Sequence, residues 1–332
     1  MSIINIKNNA GKPKYKQIVA SIEEAVVSGA LKKGEQLPSL NSISKTHKVS
    51  RDTVILAFNE LKARGIIESV VGKGYYLVND NIEINQKIFV LFDELNSFKE
   101  DLYSSFIEHL TEDIRVDIYF HHFNKNMFGK LIQENIGLYN FYVIMPANLE
   151  QTNSIIEKLP QDKVYILDQT HPELSQYSGI YQNFEKDIFN NLEKILEKIK
   201  KYNKLIILFK EEKQPSGLLK GFNQFCKTYG INNEVIHSLE EKNISKGDVY
   251  IVPDDKDLLR IIKKMKTQSF KLSKDIGIIS YNETLLKEIV EGGITTISTD
   301  FHHMGERLAK MIINQEQLQI ENNNKLILRN SL

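Results

Sequence analysis

Cysteine is nearly absent: Cys226 stands alone in 332 residues, so no disulfide can form within the chain, and a reducing cytoplasm is the expected setting. No catalytic partner pattern surrounds Cys226, which reads as a small core hydrophobe. No apolar run of about eighteen residues occurs, so no membrane span is expected. The first residues lack an uninterrupted apolar segment and a cleavage signal, so secretion is not expected. Net charge is missing as well, because 43 Lys+Arg balance 43 Asp+Glu.

Several chemistries lack their motifs. There is no Gly-x-Ser-x-Gly elbow and no pyridoxal-lysine motif. Gly72-Lys73-Gly74 lacks the longer glycine spacing and helix-opening Lys-Ser/Thr of a phosphate loop. His121-His122 and His302-His303 are adjacent pairs, which point apart on a strand, and neither has a nearby cysteine or the spaced carboxylates of a zinc site. Asp254-Asp255 has no histidine or other base tied to it by motif. The expectation is a protein that is not an enzyme and needs no cofactor and no metal.

What is present is an ordinary globular composition, 41% hydrophobic and 26% charged, long enough for two or three domains with a sizeable core. The zero net charge conceals an asymmetry. Residues 1–80 hold twelve Lys+Arg against seven Asp+Glu, 12 − 7 = +5, which leaves 31 − 36 = −5 for the remainder. A basic small domain on an acidic large one suits nucleic-acid binding confined to one end.

Within that basic end, residues 37–78 carry the densest pattern. Residues 14–28 read as a helix with Tyr15, Ile18, Ile22, Ala25 and Val26 on one face, ended by Gly29. Pro38 gives a rigid entry to a second helix that Ser39 can cap. Ser50 caps a third over 50–63, where Val54, Ala57, Phe58 and Leu61 face inward. Ser50, Arg51, Asp52 and Thr53 are left at an exposed, electropositive N-terminal turn that can meet a phosphate or a base edge. The period then changes to that of strands over 66–70 and 75–78, joined through Val71-Gly72-Lys73-Gly74 as a hairpin with a basic tip. Helix, helix, helix, hairpin is the order of a winged helix-turn-helix.

These segments resemble the N-terminal domain of GntR-family bacterial transcription regulators. The resemblance lies in Tyr15-Lys16-Gln17-Ile18, Gly34-Glu35-Gln36-Leu37-Pro38-Ser39, Val49-Ser50-Arg51-Asp52-Thr53-Val54, Ala57-Phe58-Asn59-Glu60-Leu61 and Gly72-Lys73-Gly74-Tyr75-Tyr76-Leu77-Val78. It implies a palindromic operator bound by a dimer, the third helix in the major groove and the wing tip at the minor groove, with half-sites ~34 Å apart. The DNA contacts implied are Ser39, Asn41, Lys48, Ser50, Arg51, Asp52, Thr53, Gly72, Lys73 and Gly74. Two positions depart from the family: Asn41 and Ile55 stand where arginine is frequent, which leaves fewer charged anchors.

Residues 79–87, NDNIEINQK, are polar and read as a linker. Beyond them, strand-like runs at 88–92, 116–120, 141–145, 164–167, 205–209, 249–252, 276–280 and 294–298 alternate with amphipathic segments at 98–110, 188–199, 218–229 and 258–265. That alternation argues for βαβ units and an α/β domain with largely parallel sheets over 88–332. Ligands of such sheets sit beyond the carboxyl ends of the strands, where this chain places Asp93, Asp168, Asp254, Tyr281 and Asn282. Carboxylates, an amide and aromatics suit a polyhydroxylated ligand, whose hydroxyls donate to the carboxylates while its ring stacks on Phe or Tyr.

Gly277-Ile278-Ile279-Ser280-Tyr281-Asn282-Glu283, Gly293-Ile294-Thr295-Thr296-Ile297 and Met304-Gly305-Glu306-Arg307-Leu308-Ala309 resemble the end of the effector domain of lactose-repressor-type regulators, which have the periplasmic sugar-binding (type I) fold. The resemblance implies two α/β lobes that close on a small ligand. It assigns ligand contacts to Asn282, Asp254 and Phe301, and Asp93, Asp168, Asn183 and Tyr281 complete the expected set. The family's ligand-clamping arginine is replaced by Leu218.

A GntR-type head on such a domain resembles the arabinose-repressor branch. The function expected is a cytoplasmic, homodimeric repressor of carbohydrate utilisation that binds double-stranded operator DNA and answers to a monosaccharide or sugar phosphate. Two rivals stay open: an α/β enzyme with an autoregulatory DNA-binding head, and a regulator whose large domain only dimerises or binds protein.

Overall fold

The computed structural model describes residues 3–6, 13–80, 86–240 and 243–332. It opens with α1 (Lys14–Val27), α2 (Leu40–His47), α3 (Arg51–Ala63), β1 (Ile67–Val70) and β2 (Gly74–Leu77). Then follow β3 (Gln86–Phe92), α4 (Ser97–Glu108), β4 (Ile114–Phe120), α5 (Lys125–Glu134), β5 (Phe141–Ile144), α6 (Asn153–Ile156), β6 (Val164–Asp168) and β7 (Ser178–Tyr181). Next come α7 (Phe184–Lys194), α8 (Leu196–Ile199), β8 (Lys204–Leu208), α9 (Ser216–Tyr229), β9 (Asn233–Ile236), β10 (Asp248–Val252), α10 (Asp255–Thr267) and β11 (Gly277–Tyr281). The chain ends with α11 (Leu285–Ile289), β12 (Thr295–Thr299), α12 (Phe301–Ile313), β13 (Gln319–Glu321) and β14 (Asn324–Ile327). Of the expected linker, residues 81–85 lie outside the described residues, and Gln86 and Lys87 already belong to β3.

Two compact units result: Met1–Phe92 with Leu110–Ile144 and Thr152–Tyr165, and Asp93–His109 with Met145–Gln151 and Ile166–Leu332. The first unit contains the head. Ile18 and Ile22 of α1, Val54, Ala57, Phe58 and Leu61 of α3, and Leu77 of β2 form one buried cluster. Phe58 meets the Tyr75 ring edge-on at 4.8 Å, which ties the third helix to the hairpin. Arg64, buried at the end of α3, pairs with Glu23 of α1. In the same unit β3 pairs in parallel with β4 on one side and β5 on the other.

The second unit holds a six-stranded sheet of order β14-β12-β11-β10-β8-β9, parallel except for the antiparallel β14. Its central strands β8 and β10 carry apolar residues on both faces, as a sheet covered on both sides requires. Leu205 and Ile207 pack with Phe222 and Phe225, whereas the alternate residues Ile206 and Leu208 pack with Leu258 and Ile261. α4 lies along α12, and β7 pairs in parallel with β13.

All eight strands expected in the large domain are present, with ends shifted by one or two residues. Four more, β7, β9, β13 and β14, are only three or four residues long and carry too little pattern to be seen in sequence. The single helix expected over 188–199 is two, because Ile195 leaves the helical region (φ −116°, ψ 16°) between α7 and α8.

Candidate nucleic-acid interface and effector cavity

The ten residues expected to touch DNA all lie on the head. The Ser39 hydroxyl accepts from the Ser42 N–H at 3.2 Å and starts α2, which Lys48 ends in the left-handed conformation (φ +51°). The turn into α3 is held by the Ser44 hydroxyl, which donates to the Val49 carbonyl at 2.7 Å. Ser50 then accepts from the Thr53 N–H at 3.2 Å and stands 2.7 Å from the Thr53 hydroxyl. Asn41, Lys48, Ser50, Arg51 and Asp52 are exposed, and Thr53 is half-buried by its contact with Ser50. At the wing, Gly72 (φ +73°) and Gly74 (φ +115°) take backbone conformations that a side chain would strain. They leave Lys73 exposed at the tip, where its carbonyl accepts from Gln36.

The seven residues expected to touch an effector all lie in the second unit, but in two different environments. Phe301 is stacked on Phe98 with ring centroids 4.8 Å apart, and both line a cavity of about 780 Å³ with Asp255, Glu283, Thr299 and Lys325. The other six do not line that cavity. Asp254 caps α10 through the N–H groups of Lys256 (2.8 Å) and Asp257 (3.1 Å), and Asn183 caps α7 through Lys186. Asn282 takes a left-handed conformation (φ +61°); its N–H donates to the Ile297 carbonyl at 2.7 Å.

Asp93, Asp168 and Tyr281 are buried. Lys99 pairs with Asp93, and the Gln182 amide donates to Asp168. Burial pushes the Asp168 carboxyl up, against the lowering influence of Lys99. The hydroxyl of Thr299 donates to the side-chain amide oxygen of Gln182, Oε1, so the buried network around Asp168 reaches the cavity wall at Thr299. Burial, with Asp187 and Asp168 nearby, holds the Tyr281 hydroxyl far above the ordinary tyrosine range.

Sequence reasoning missed Phe98, Lys99, Gln182, Lys287 and Thr299. Gln182 follows β7, a strand too short to read, so no strand end pointed to it. Phe98 and Lys99 stand in the first turn of α4, the helix that follows β3. Lys287 had no signal: it looks like a solvated lysine, yet it is buried, donates to the carbonyls of Tyr281 (2.8 Å) and Asn282 (2.7 Å), and pairs with Asp255 at 2.9 Å.

Asp187 makes a pH dependence. Burial pushes its carboxyl up to about 7, the Glu321 carboxylate adding to the shift while Lys186 opposes it. Between pH ~4, where an unfolded aspartate releases its proton, and 7, the folded state therefore holds a proton that the unfolded chain has lost. Stability from this group falls as pH rises through that window. Asp187→Asn should be more stable than the parent at pH 8, with the gap closing towards pH 4, in urea titrations at each pH; parallel stability curves would exclude this role for Asp187.

The head has the geometry of a winged-helix DNA reader, and it precedes parallel α/β sheets, a combination that defines a class of bacterial regulators. Residues 14–77 match the model of the bacterial regulatory proteins, gntR family. A repressor of Bacillus subtilis (strain 168), the HTH-type transcriptional repressor YtrA, is 31% identical over 100 residues, 30% of this chain and 73% of YtrA. The chain belongs to the GntR family. It is 40% identical over 80 residues to the uncharacterized HTH-type transcriptional regulator YdfD of the same organism, 24% of this chain and only 17% of YdfD. The larger part shares the fold of a LacI family transcriptional regulator from Enterococcus faecium solved with bound ribose: TM-score 0.58, 13% identity, 74% of this chain and 98% of that one.

Proposed function

We propose that the chain is a sequence-specific DNA-binding regulator, a repressor of carbohydrate utilisation, controlled by a monosaccharide or sugar phosphate held in the second unit. The observation that carries the DNA reading is the N-terminal turn of α3: Ser50 fixes it, and Arg51 stands exposed beside Lys48. The positive end of the helix dipole adds to the attraction for phosphate. The effector reading is supported by the cavity with its Phe98–Phe301 stack and by the ribose bound in the solved relative of the same fold.

The active form is a cytoplasmic homodimer. Leu285 and Ile289 of α11 are 78% and 76% exposed on one side of a short helix whose other side is pinned by Lys287, and this apolar patch supports pairing with a second copy. Among the described residues no helix is long and apolar enough to cross a membrane. Effector binding shifts the equilibrium between operator-competent and operator-incompetent states only by its differential affinity for the two, ~1–3 kcal/mol in typical allosteric proteins.

Arg51→Ala should weaken specific operator binding by ~1–3 kcal/mol in mobility-shift titrations while leaving binding to random duplex much less changed. An equal loss on both DNAs would reduce Arg51 to a phosphate contact. Sedimentation of the full chain should give a dimer, and calorimetric titration of monosaccharides and their phosphates should find a saturable binder that alters the mobility shift. A monomer, or no binder at millimolar concentration, would overturn the corresponding part of the reading.

A further inference from the structure

The outward flank of α3 is not polar throughout. Val54, Ala57, Phe58 and Leu61 turn into the head's core, and the opposite flank starts with the exposed Arg51 and Asp52. One helical turn further, at i+4 from each of these, stand Ile55 and Leu56. Leu56 is 46% exposed, Ile55 is half-buried, and neither belongs to the buried cluster of the head.

An amphipathic surface helix ordinarily carries charged or polar residues there. A lone exposed leucine would mean little. Two adjacent branched aliphatics directly behind the polar reading turn, on a flank begun by Arg51, form a patch whose neighbours already select its partner. Lys48, exposed at the end of α2, and Arg51 both favour a polyanion over a protein or lipid surface.

On a duplex, the apolar group that the major groove offers such a patch is the C5-methyl of thymine. We propose that Ile55 and Leu56 are specificity-determining residues that read thymine methyl groups in each half-site, one turn of helix along from the base pair met by Arg51. The inference rests on the DNA-binding reading above. Where an arginine would demand guanine, this helix demands thymine, so the half-site combines one position read through Arg51 with adjoining A·T pairs.

The test begins with the full chain selecting from a random 30-base-pair duplex library. The enriched site is then remade with deoxyuridine in place of thymidine, one position at a time, which removes a methyl group and leaves every hydrogen-bonding edge intact. Each contacted methyl should contribute about fourfold in affinity. The double variant Ile55→Ala, Leu56→Ala should bind thymine and uracil versions equally while remaining folded, with a thermal midpoint lowered only by the loss of one half-buried side chain, because neither residue belongs to the buried cluster of the head. Enrichment of a site without thymine, insensitivity to uracil, or a variant that still distinguishes the two DNAs would overturn the inference while leaving DNA binding intact. Failure to enrich any sequence would instead overturn the DNA-binding reading on which it rests.

Discussion

Lys99→Met should cost the fold about 3–5 kcal/mol, read as a fall in the urea midpoint at unchanged slope. Lys99 and Asp93 form an ion pair whose side chains are only 6% and 4% exposed. Methionine can follow the lysine's aliphatic path, so the loss is not one of volume. It is one of charge, because among the described residues Asp93 would keep only the Glu94 N–H, at 2.6 Å, and its repulsion with Asp168 would lose the compensating ammonium. Removing both charges together avoids the buried orphan. The double variant Lys99→Met, Asp93→Asn should therefore recover a large part of the loss, giving a coupling energy well above the error of the cycle. Additive effects of the two substitutions would mean that the pair is solvated in solution and that its burial plays no part in stability.

Function should suffer with stability in that variant. Lys99 follows Phe98, whose ring stacks on Phe301 at the cavity wall, and Lys99 influences Asp168, which is joined through Gln182 to Thr299 on the same wall. A lost cation here alters both the aromatic platform and the buried polar network behind it. The two parts of the proposed effector site thus share one lysine.

The head was nearly complete in the sequence because its determinants are local. Ser39 and Ser50 cap helices from three residues away, and Val54, Ala57, Phe58 and Leu61 announce their buried face by spacing alone. The hairpin followed from its glycines. The effector region was legible only in part, since its determinants join distant segments. β13 pairs with β7 through Gln319 and Gly179, and neither strand is long enough to show a period. Asp254 shows a different ambiguity: an acid at a strand end is equally suited to a ligand and to the next helix's N–H groups, and here its Oδ1 accepts from two of the latter. Lys99 and Lys287 could not be distinguished from solvated lysines, because burial is a property of packing that spacing does not record.

Gly305→Ala should destabilise the chain, although alanine in a helix interior ordinarily gains ~0.5–1 kcal/mol over glycine. A Cβ at position 305 would lie 2.3 Å from the Leu102 carbonyl oxygen and 2.8 Å from the Phe106 nitrogen, both backbone atoms of α4. Backbone cannot rotate aside as a side chain can, so α4 and α12 would have to separate. That separation would strain the Ser105 hydroxyl's bond to the His302 carbonyl, now 2.7 Å, and the Phe98–Phe301 stack one turn away. Overpacking of this kind costs ~1–3 kcal/mol, which exceeds the propensity gain and fixes the sign. Urea unfolding of Gly305→Ala should show a lowered midpoint, Gly305→Val a still lower one, and effector titration a weakened response in whichever variant stays folded. A Gly305→Ala chain more stable than its parent would mean that α4 and α12 do not approach this closely in solution, and with that the aromatic wall of the cavity would lose its support.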